Sequence, residues 1–405
     1  MYNLTDRNVV LGVTGSIAAY KAADLASKLT QSGARVDVVM SPEAARFVSP
    51  ITFKGVTGRD VFVDMWEAGA GPAEPHIALA RAADVMVIAP ATATVIARLA
   101  LALAEEMVSL TALATRAPLI VCPAMDSQMY THEAVQGHVE TLASRGVLLI
   151  GPEEGRLASG QIGLGRFSEV EKIIGGIRQV LGRGGDLAGK KIVVSAGGTH
   201  EPIDPVRFVG NRSSGKMGFS LAEAARDRGA ETVLVAGPVA LADPYGVAVV
   251  RVEQAREMRD AIVQHSADAH ALIMAAAVAD YQAAAVAERK MKREGADGMT
   301  LSLIRTPDIL AEVRGRKGLI RVGFAAESHD LRANAIAKLK SKGLDLIAMN
   351  DITATDSGFA VDTNRVVIFD RHDGEEDLPL MTKYEVACRI LDRVAKLFEK
   401  RPARS

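Results

Sequence analysis

SAGGTHEPIDPVRFVGNRSSGKMG, residues Ser195 to Gly218, lies near the middle of a chain of 405 residues. An apolar run, Lys191 to Ala196, enters it as a buried strand would, and Lys216 to Arg228 leaves it with apolar residues at helical spacing. Between them runs a long polar loop with two glycine clusters. Gly197, Gly198 and Thr199 are expected to bring bare backbone N–H groups and a hydroxyl to a phosphate. Ser213, Ser214 and Gly215 are expected to do the same at the next helix N-terminus. A tight packing turn would need no more than the glycines, yet the loop also carries His200, Glu201, Asp204, Arg207, Asn211, Arg212 and Lys216. Such density of polar chemistry in a loop points to an anion site. Gly210 to Lys216 imitates the G-x-x-x-x-G-K of a P-loop, but Met217 stands where Ser or Thr must hold magnesium. Pro202, Asp204, Pro205 and Arg207 also make a poor buried strand ahead of it, so a Walker-type ATPase or GTPase is rejected.

Outward toward the N-terminus, Val9 to Val13 is a β-branched run followed by the turn Thr14-Gly15-Ser16. An amphipathic segment, Ile17 to Ser32, then stops at Gly33, and Arg35 to Met40 is the next strand, ending at Ser41. The G-x-G-x-x-G and the acidic strand end of an NAD site are both missing. Thr14, Ser16 and Ser41 hydroxyls near a helix N-terminus suit a single phosphate such as that of FMN, and a solvated Rossmann-like turn is the alternative. Asp84 to Pro90 and Leu119 to Pro123 are continuous apolar runs, as parallel strands covered on both faces require. They end in the clusters Ala91-Thr92-Ala93-Thr94 and Ala124-Met125-Asp126, where open α/β sheets place ligands. Cys122 reads as core.

A helix at Val170 to Leu181 and the glycine-rich Gly182 to Asp186 form the link to a second half that repeats the grammar of the first. Gly33-Ala34 before RVDVVMSP has its echo in Gly229-Ala230 before ETVLVAGP. The expected fold is α/β, two Rossmann-like three-layer domains with mostly parallel sheets, residues 1–182 and 186–405. Further on, Ala271 to Ala277 reads as a strand with Asp280 beyond its carboxyl end, and Lys290, Lys292 and Arg293 lie in a polar loop, usually plain solvated surface. Lys338 and Lys342 share a helix face, where two ammonium groups repel unless an anion lies between them. Arg365 to Asp370 is a strand, Lys383 to Lys400 a closing helix, and Arg401 to Ser405 a frayed end.

Composition excludes several classes. With 48% hydrophobic and 24% charged residues and a net charge of -1, nothing favours nucleic acid or a membrane surface, so partners are small molecules or the protein's own subunits. Two cysteines far apart, Cys122 and Cys388, allow neither a disulfide framework nor a cysteine-rich zinc site, which suits a reducing cytoplasm. No signal-peptide pattern opens the chain. The most apolar helix candidate, Thr94 to Met107, is interrupted by Arg98 and ends in Glu105 and Glu106, so it is no membrane span.

GGTHEPIDPVR, NRSSGKMG, AAVADY, PDI and GFAAE in the second half, with GVTGSIAAYK and PAMDSQMY in the first, resemble a known family over nearly the full length. It is the bifunctional phosphopantothenoylcysteine decarboxylase and phosphopantothenate-cysteine ligase of coenzyme A biosynthesis. The resemblance implies a flavodoxin-like decarboxylase domain in residues 1–182 with FMN at Gly15, Ser16, Ser41, Thr92, Ser109 and Met125. It implies catalysis there by His76, which matches the family's His-Ile-x-Leu-Ala context, and by the positions of Asp126 and Ser159. For residues 186–405 it implies a ligase that joins 4'-phosphopantothenate to cysteine with CTP and Mg2+ through an acyl-cytidylate. Arg207, Asn211 and Lys290 are the implied catalytic residues. The implied nucleotide site is Gly198, Ala275, Ala276, Ala277, Asp280, Lys290, Pro307, Asp308, Ile309, Leu310, Phe324, Lys338 and Lys342, with the metal ligands unassigned. Trimeric decarboxylase domains and dimeric ligase domains would build a homododecamer.

This chain departs from the familiar pattern at the decarboxylase site. Asp126 stands for the Asn of Pro-Ala-Met-Asn, Ser159 for a flap cysteine, and Glu105-Glu106 for an Asn-Asp pair. Two alternatives therefore stay open: a ligase whose first half only holds flavin and oligomerises, and a peptidyl-cysteine decarboxylase, whose relatives lack the ligase half.

Overall fold

β-Branched runs alternate with amphipathic segments in both halves, and each run is buried along nearly its whole length, so each must be covered on both faces. In the computed structural model, which describes residues 4–66, 74–291, 300–327, 331–351, 361–372 and 374–400, the chain divides into two units, Met1–Gly182 and Arg183–Ser405.

The first unit is built on six parallel strands: β1 (Asn8–Val13), β2 (Arg35–Met40), β3 (Val61–Phe62), β4 (Val85–Ala91), β5 (Leu119–Pro123) and β6 (Leu148–Leu149). Their order is β3-β2-β1-β4-β5-β6, with Val9 opposite both Val36 and Val85. The covering helices are α1 (Ala19–Gln31), α2 (Pro50–Thr57), α3 (Pro75–Ala82), α4 (Ala93–Leu101), α5 (Met107–Ala114), α6 (Ser127–Tyr130), α7 (Glu133–Ser144) and α8 (Val170–Gly182). Val10, Met86, Ile88, Val95, Ile96 and Val108 share one core on the face of α4 and α5. An antiparallel hairpin, β7 (Glu153–Arg156) and β8 (Ile162–Arg166), stands apart from the sheet.

One expectation fails here. The apolar segment Thr94 to Met107 is two helices, because Ala102 adopts a left-handed φ of 56° that ends α4. Glu106 then starts α5, its carboxylate accepting from the backbone N–H groups of Val108 and Ser109, each at 2.9 Å. Glu106, at the end of the segment, thus caps a helix start rather than closing one.

The second unit repeats the strand order. Its strands are β9 (Lys191–Ala196), β10 (His200–Pro202), β11 (Phe208–Gly210), β12 (Glu231–Ala236), β13 (Ala248–Arg251), β14 (Ala271–Met274), β15 (Tyr281–Ala283), β16 (Leu303–Arg305), β17 (Ile320–Glu327), β18 (Leu346–Asp351), β19 (Thr363–Asn364), β20 (Val366–Asp370), β21 (Glu375–Asp377) and β22 (Met381–Thr382). The main sheet runs β13-β12-β9-β14-β17-β18 in parallel, then adds β20 and β21 antiparallel. Counted within the unit, the parallel part has the same 3-2-1-4-5-6 order as the first sheet. The internal echo has a structural counterpart, since Gly33 and Gly229 both take φ of 88° where a helix turns back into the second strand.

Helices α9 (Lys216–Arg226) and α13 (Lys383–Glu399) cover one face, with Ile192, Val194, Leu221, Ile273 and Ile390 in the core between them. Helices α10 (Ala255–His265) and α11 (Ile309–Glu312) cover the other over Val193, Met258, Ile262 and Leu272, and α12 (Leu331–Lys342) packs beside β17 and β18. The strand expected over Ala271 to Ala277 stops at Met274. There Ser195 Oγ accepts from the Ala276 N–H at 3.1 Å and the Gly197 carbonyl from the Ala277 N–H at 2.8 Å, turning the chain out of the ladder. The expected frayed end, Arg401 to Ser405, and the basic residues Lys292 and Arg293 lie outside the described residues.

Candidate active sites

In each unit the strand order reverses beside the first strand, between β1 and β4 and again between β9 and β14. Crevices open at such switch points, beyond the carboxyl ends of the strands. In the second unit the crevice is a cleft of about 910 Å³. The loop before α9, the segment after β14, the Pro307 turn and the ends of β17 and β18 line it. Asn211, Ala275, Ala276, Ala277, Asp280, Pro307, Asp308, Ile309, Leu310, Phe324, Lys338 and Lys342, all expected from the sequence, lie around this cavity.

The glycine clusters part company. Ser213, Ser214 and Gly215 line the cleft, and Gly215 adopts the left-handed φ of 76° that lets the loop turn into α9. Gly197, Gly198 and Thr199 do not line it. Gly198 bridges to Ala277, and the wholly buried Thr199 hydroxyl accepts from the Ala279 N–H at 3.0 Å. The first cluster therefore fastens the segment after β14, which is the packing role first set aside. The strand ahead of Gly210 is a short antiparallel hairpin strand, unlike the buried parallel strand of a P-loop.

The helical lysines find partners within the protein. Lys342 meets the Asp308 carboxylate at 2.5 Å, and Lys338 donates to the Phe324 carbonyl at 2.8 Å. Their i, i+4 repulsion is thus relieved without a bound anion, contrary to the sequence argument. Burial would raise the Asp308 carboxyl, but the Lys342 ammonium and the Ala311 N–H hold it below the usual range. Asn211 donates its amide to the carbonyls of Ala277 and Val278 at 3.3 and 3.1 Å, tying the α9 loop to the segment after β14.

Arg207 and Lys290 are exposed and stand outside the lining of the cleft. Asp204 gathers their loops. Its buried carboxylate accepts from the N–H groups of Val206 and Arg207 at 2.8 Å and of Met291 at 3.1 Å, and Arg207 itself donates to the Met291 carbonyl. Burial would raise this carboxyl; the three backbone donors and the Arg207 charge hold it low. Among the cleft residues that escaped the sequence reading are Arg305, Thr306, Asn350, Asn364 and Lys383. Thr382 and Glu385 announce a helix start by their capping box, but nothing in the residue types says that Lys383 faces a cavity.

In the first unit Gly15, Ser16, Ser41, Thr92 and Met125 fall just past the carboxyl ends of β1, β2, β4 and β5, while His76 and Ser109 lie on α3 and α5 and Ser159 between β7 and β8. Gly15 is required where it is, since a Cβ there would lie 2.5 Å from Glu43 Cβ. Thr14, wholly buried, donates to the Pro90 carbonyl at 2.7 Å and accepts from the Thr92 N–H at 3.1 Å, so it joins the ends of β1 and β4. Ser16 reaches the Ala124 carbonyl at 3.3 Å. Ser41 and Ser109 are buried, their hydroxyls bonded to the Ala44 N–H and the Glu106 carbonyl. Thr92 caps α4, Met125 N–H bonds the Gly165 carbonyl of the hairpin at 3.1 Å, and half-buried His76 lies in the first turn of α3. Bare backbone at Gly15 with the half-buried Ser16 beside it fits a phosphate-bearing flavin, whereas the Thr14 hydroxyl, expected at the phosphate, is spent joining β1 and β4.

Asp126 and Ser159, the two departures, meet. The Ser159 hydroxyl, at the hairpin tip, donates to Asp126 Oδ2 at 2.8 Å, while Asp126 Oδ1 caps α6 by accepting from the Gln128 N–H at 3.1 Å. Gly165 allows this approach, because a Cβ there would fall 2.2 Å from the Met125 carbonyl oxygen. Among the described residues no group of three or more His, Cys, Asp or Glu side chains is placed to hold a metal.

Residues 1–182 match the family described as Flavoprotein, and residues 187–398 that described as DNA/pantothenate metabolism flavoprotein C-terminal domain. The coenzyme A biosynthesis bifunctional protein CoaBC of Bacillus subtilis (strain 168) is 43% identical over 406 residues, 99% of this chain and 100% of that protein. Its counterpart in Mycobacterium tuberculosis (strain CDC 1551 / Oshkosh) is 41% identical over 408 residues, 96% of each. Among solved structures, the C-terminal domain of a CoaBC aligns at 38% identity and a TM-score of 0.46, covering 53% of this chain and 99% of that chain. A mutant PPC decarboxylase complexed with pantothenoylaminoethenethiol aligns at 30% identity and 0.38, covering 43% and 97%. On sequence identity sustained across its whole length, the chain belongs to the family of coenzyme A biosynthesis bifunctional proteins, enzymes with decarboxylase and ligase activities.

Proposed function

We propose that residues 186–405 ligate 4'-phosphopantothenate to cysteine with CTP, and that residues 1–182, holding FMN, decarboxylate the product to 4'-phosphopantetheine. The observation that carries the ligase half is the cleft at the β9–β14 switch point, whose volume suits a nucleotide and whose rim brings Asn211, Asp308, Lys338 and Lys342 together. A carboxylate is too stable to acylate an amine directly. Its oxygen therefore attacks the α-phosphorus of CTP, the bond to the bridging oxygen breaks, and pyrophosphate leaves. The cysteine amine then attacks the acyl carbon, loses a proton and displaces CMP.

Serine and glycine donors of the α9 loop, with Lys338, Lys342 and the exposed Lys290, meet the phosphate charge that spreads in the first step. Arg207 and Asn211 position the acyl-cytidylate. Mg2+ would share the phosphate charge, with Asp280 in the cleft lining as the carboxylate that would hold it. The pair Asp126 and Ser159 would lie against the substrate carboxylate in the first unit, with Asp126 as the proton donor. FMN, held at Gly15, Ser16, Ser41, Thr92, Ser109 and Met125, would supply reversible two-electron chemistry at the thiol-bearing carbon. His76 is the proton-moving partner.

A ligase with a non-decarboxylating first unit is the second reading, favoured by one observation: the Ser159 hydroxyl is spent on Asp126. Incubating the purified protein with 4'-phosphopantothenate, cysteine and CTP, and weighing the products, separates the two. A cytoplasmic homododecamer belongs to the same proposal; light scattering should give twelve times the 42.8 kDa chain.

A further inference from the structure

Cations line the cleft of the second unit, and its lysines are engaged within the protein. Lys342 meets Asp308, Lys216 meets the Asp362 carboxylate at 2.7 Å, and Lys338 and Lys383 donate to the carbonyls of Phe324 and Val361. Arg212 and Arg305 differ. Both are exposed and line the cavity, yet among the described residues neither guanidinium has a hydrogen bond or an ion pair, even with Asp280 or Asp308 of the same lining.

Both arginines are fastened to the segment that runs from Ala277 to Tyr281. Arg212 follows Asn211, whose amide is tied to the carbonyls of Ala277 and Val278, and β11, which leads into this loop, packs against β15. Arg305 closes β16 and stands directly opposite Tyr281 of β15 in the antiparallel ladder, so the two side chains share a face. Tyr281 lines the cavity as well. Thr306 locks this ribbon in place, its N–H donating to the Asp280 carbonyl at 3.0 Å and its hydroxyl to the Ala279 carbonyl at 2.6 Å. Uncompensated positive charge in a cleft draws anions, and a guanidinium fork matches two oxygens of a phosphate at once.

Ligation brings two phosphate-bearing substrates together. In 4'-phosphopantothenate the phosphomonoester lies at the end of the molecule opposite the carboxylate that reacts. While that carboxylate attacks the α-phosphorus of the nucleotide, the phosphomonoester cannot share the place of the triphosphate, so it needs cations of its own. We propose that Arg212 and Arg305 bind this phosphomonoester and thereby make the ligase select phosphorylated over unphosphorylated pantothenate. The inference rests on the ligase reading of the cleft, and adds to it the residues that choose the acyl substrate. Lys338, Lys342 and the α9 loop remain with the nucleotide.

Steady-state pyrophosphate release by the full-length protein tests this, with CTP, Mg2+ and cysteine present and either 4'-phosphopantothenate or pantothenate as the acyl substrate. Arg212→Gln and Arg305→Gln should each raise KM for 4'-phosphopantothenate about tenfold, the usual effect of losing a hydrogen bond to a charged group. The advantage of 4'-phosphopantothenate over pantothenate in kcat/KM should shrink by the same factor. Where pantothenate turns over too slowly to follow, its inhibition constant against 4'-phosphopantothenate gives the same comparison. Arg212→Lys and Arg305→Lys, which keep the charge but lose the fork, should recover part of the loss. A rise in KM for CTP rather than for 4'-phosphopantothenate would assign the arginines to the nucleotide, and equal losses with both acyl substrates would assign them to the carboxylate or to the structure of the cleft. Either result overturns the proposal, as does an unchanged KM for 4'-phosphopantothenate in both Gln variants. If wild type releases no pyrophosphate with either acyl substrate, the ligase reading itself falls.

Discussion

Asn211 donates to two backbone carbonyls across the mouth of the cleft, and an aspartate in its place would set a carboxylate against them. Asn211→Asp should therefore still release pyrophosphate, but amide formation should fall a hundred- to thousandfold, the usual cost of about 2.7 to 4 kcal/mol for losing a positioned donor. Lys290→Gln should instead slow pyrophosphate release. Rapid-quench assays of both products distinguish them, and equal losses on both steps would remove the division of labour. At the other site, Asp126→Asn keeps the partner of Ser159 but discards the exchangeable proton. Single-turnover product mass should shift to an enethiol lighter by two hydrogen atoms; saturated product at the wild-type rate would place the proton donor elsewhere.

At the scale of elements, α5 depends on one carboxylate. Glu106 satisfies two N–H groups at a buried helix start, so Glu106→Ala should cost about 1 kcal/mol in urea unfolding, within the usual range for lost caps, whereas Glu106→Gln should retain much of it. An unchanged midpoint in Glu106→Ala would show that packing alone holds α5. Strands were the most legible elements. Arg35–Met40, Leu119–Pro123 and Lys191–Ala196 have the bounds read from the sequence, because β-branched runs between turn residues leave little choice. The break at Ala102 was not legible, since alanine ordinarily favours helix and its left-handed turn is imposed by tertiary structure. Nor was the end of β14 at Met274, which hydrogen bonds from the Ala276 and Ala277 N–H groups to Ser195 and Gly197, distant in sequence, decide. Motif residues of the cleft were legible as loop chemistry. Asn350 and Lys383 were not, because each sits in a segment whose own pattern says only strand end or helix start.

For the whole molecule, charge placement sets how stability responds to pH. Burial opposes ionisation of Asp370 and Glu376, but backbone N–H groups, Arg389 and Arg393 keep both carboxyls low, as the partners of Asp204 and Asp308 do for theirs. Groups lowered in the fold contribute stability that is complete above the unfolded carboxylate range, near pH 4, and is lost as pH falls through their folded values. Lys383 acts at the opposite end. With its ammonium lowered from 10.5 to about 8, the unfolded chain binds more protons between these values, so stability should rise with pH across that window. Urea midpoints from pH 8 to 10.5 should show that component in wild type and lose it in Lys383→Met; the same slope in both would mean that other groups produce it.

The most direct test of the central claim is the mass of what one purified chain makes from 4'-phosphopantothenate, cysteine and CTP with Mg2+ and FMN. Saturated 4'-phosphopantetheine should form, with one CMP, one pyrophosphate and one carbon dioxide per molecule. Phosphopantothenoylcysteine accumulating without loss of carbon dioxide would contradict the role given to the first unit, and failure to form the amide or release CMP would contradict that given to the second.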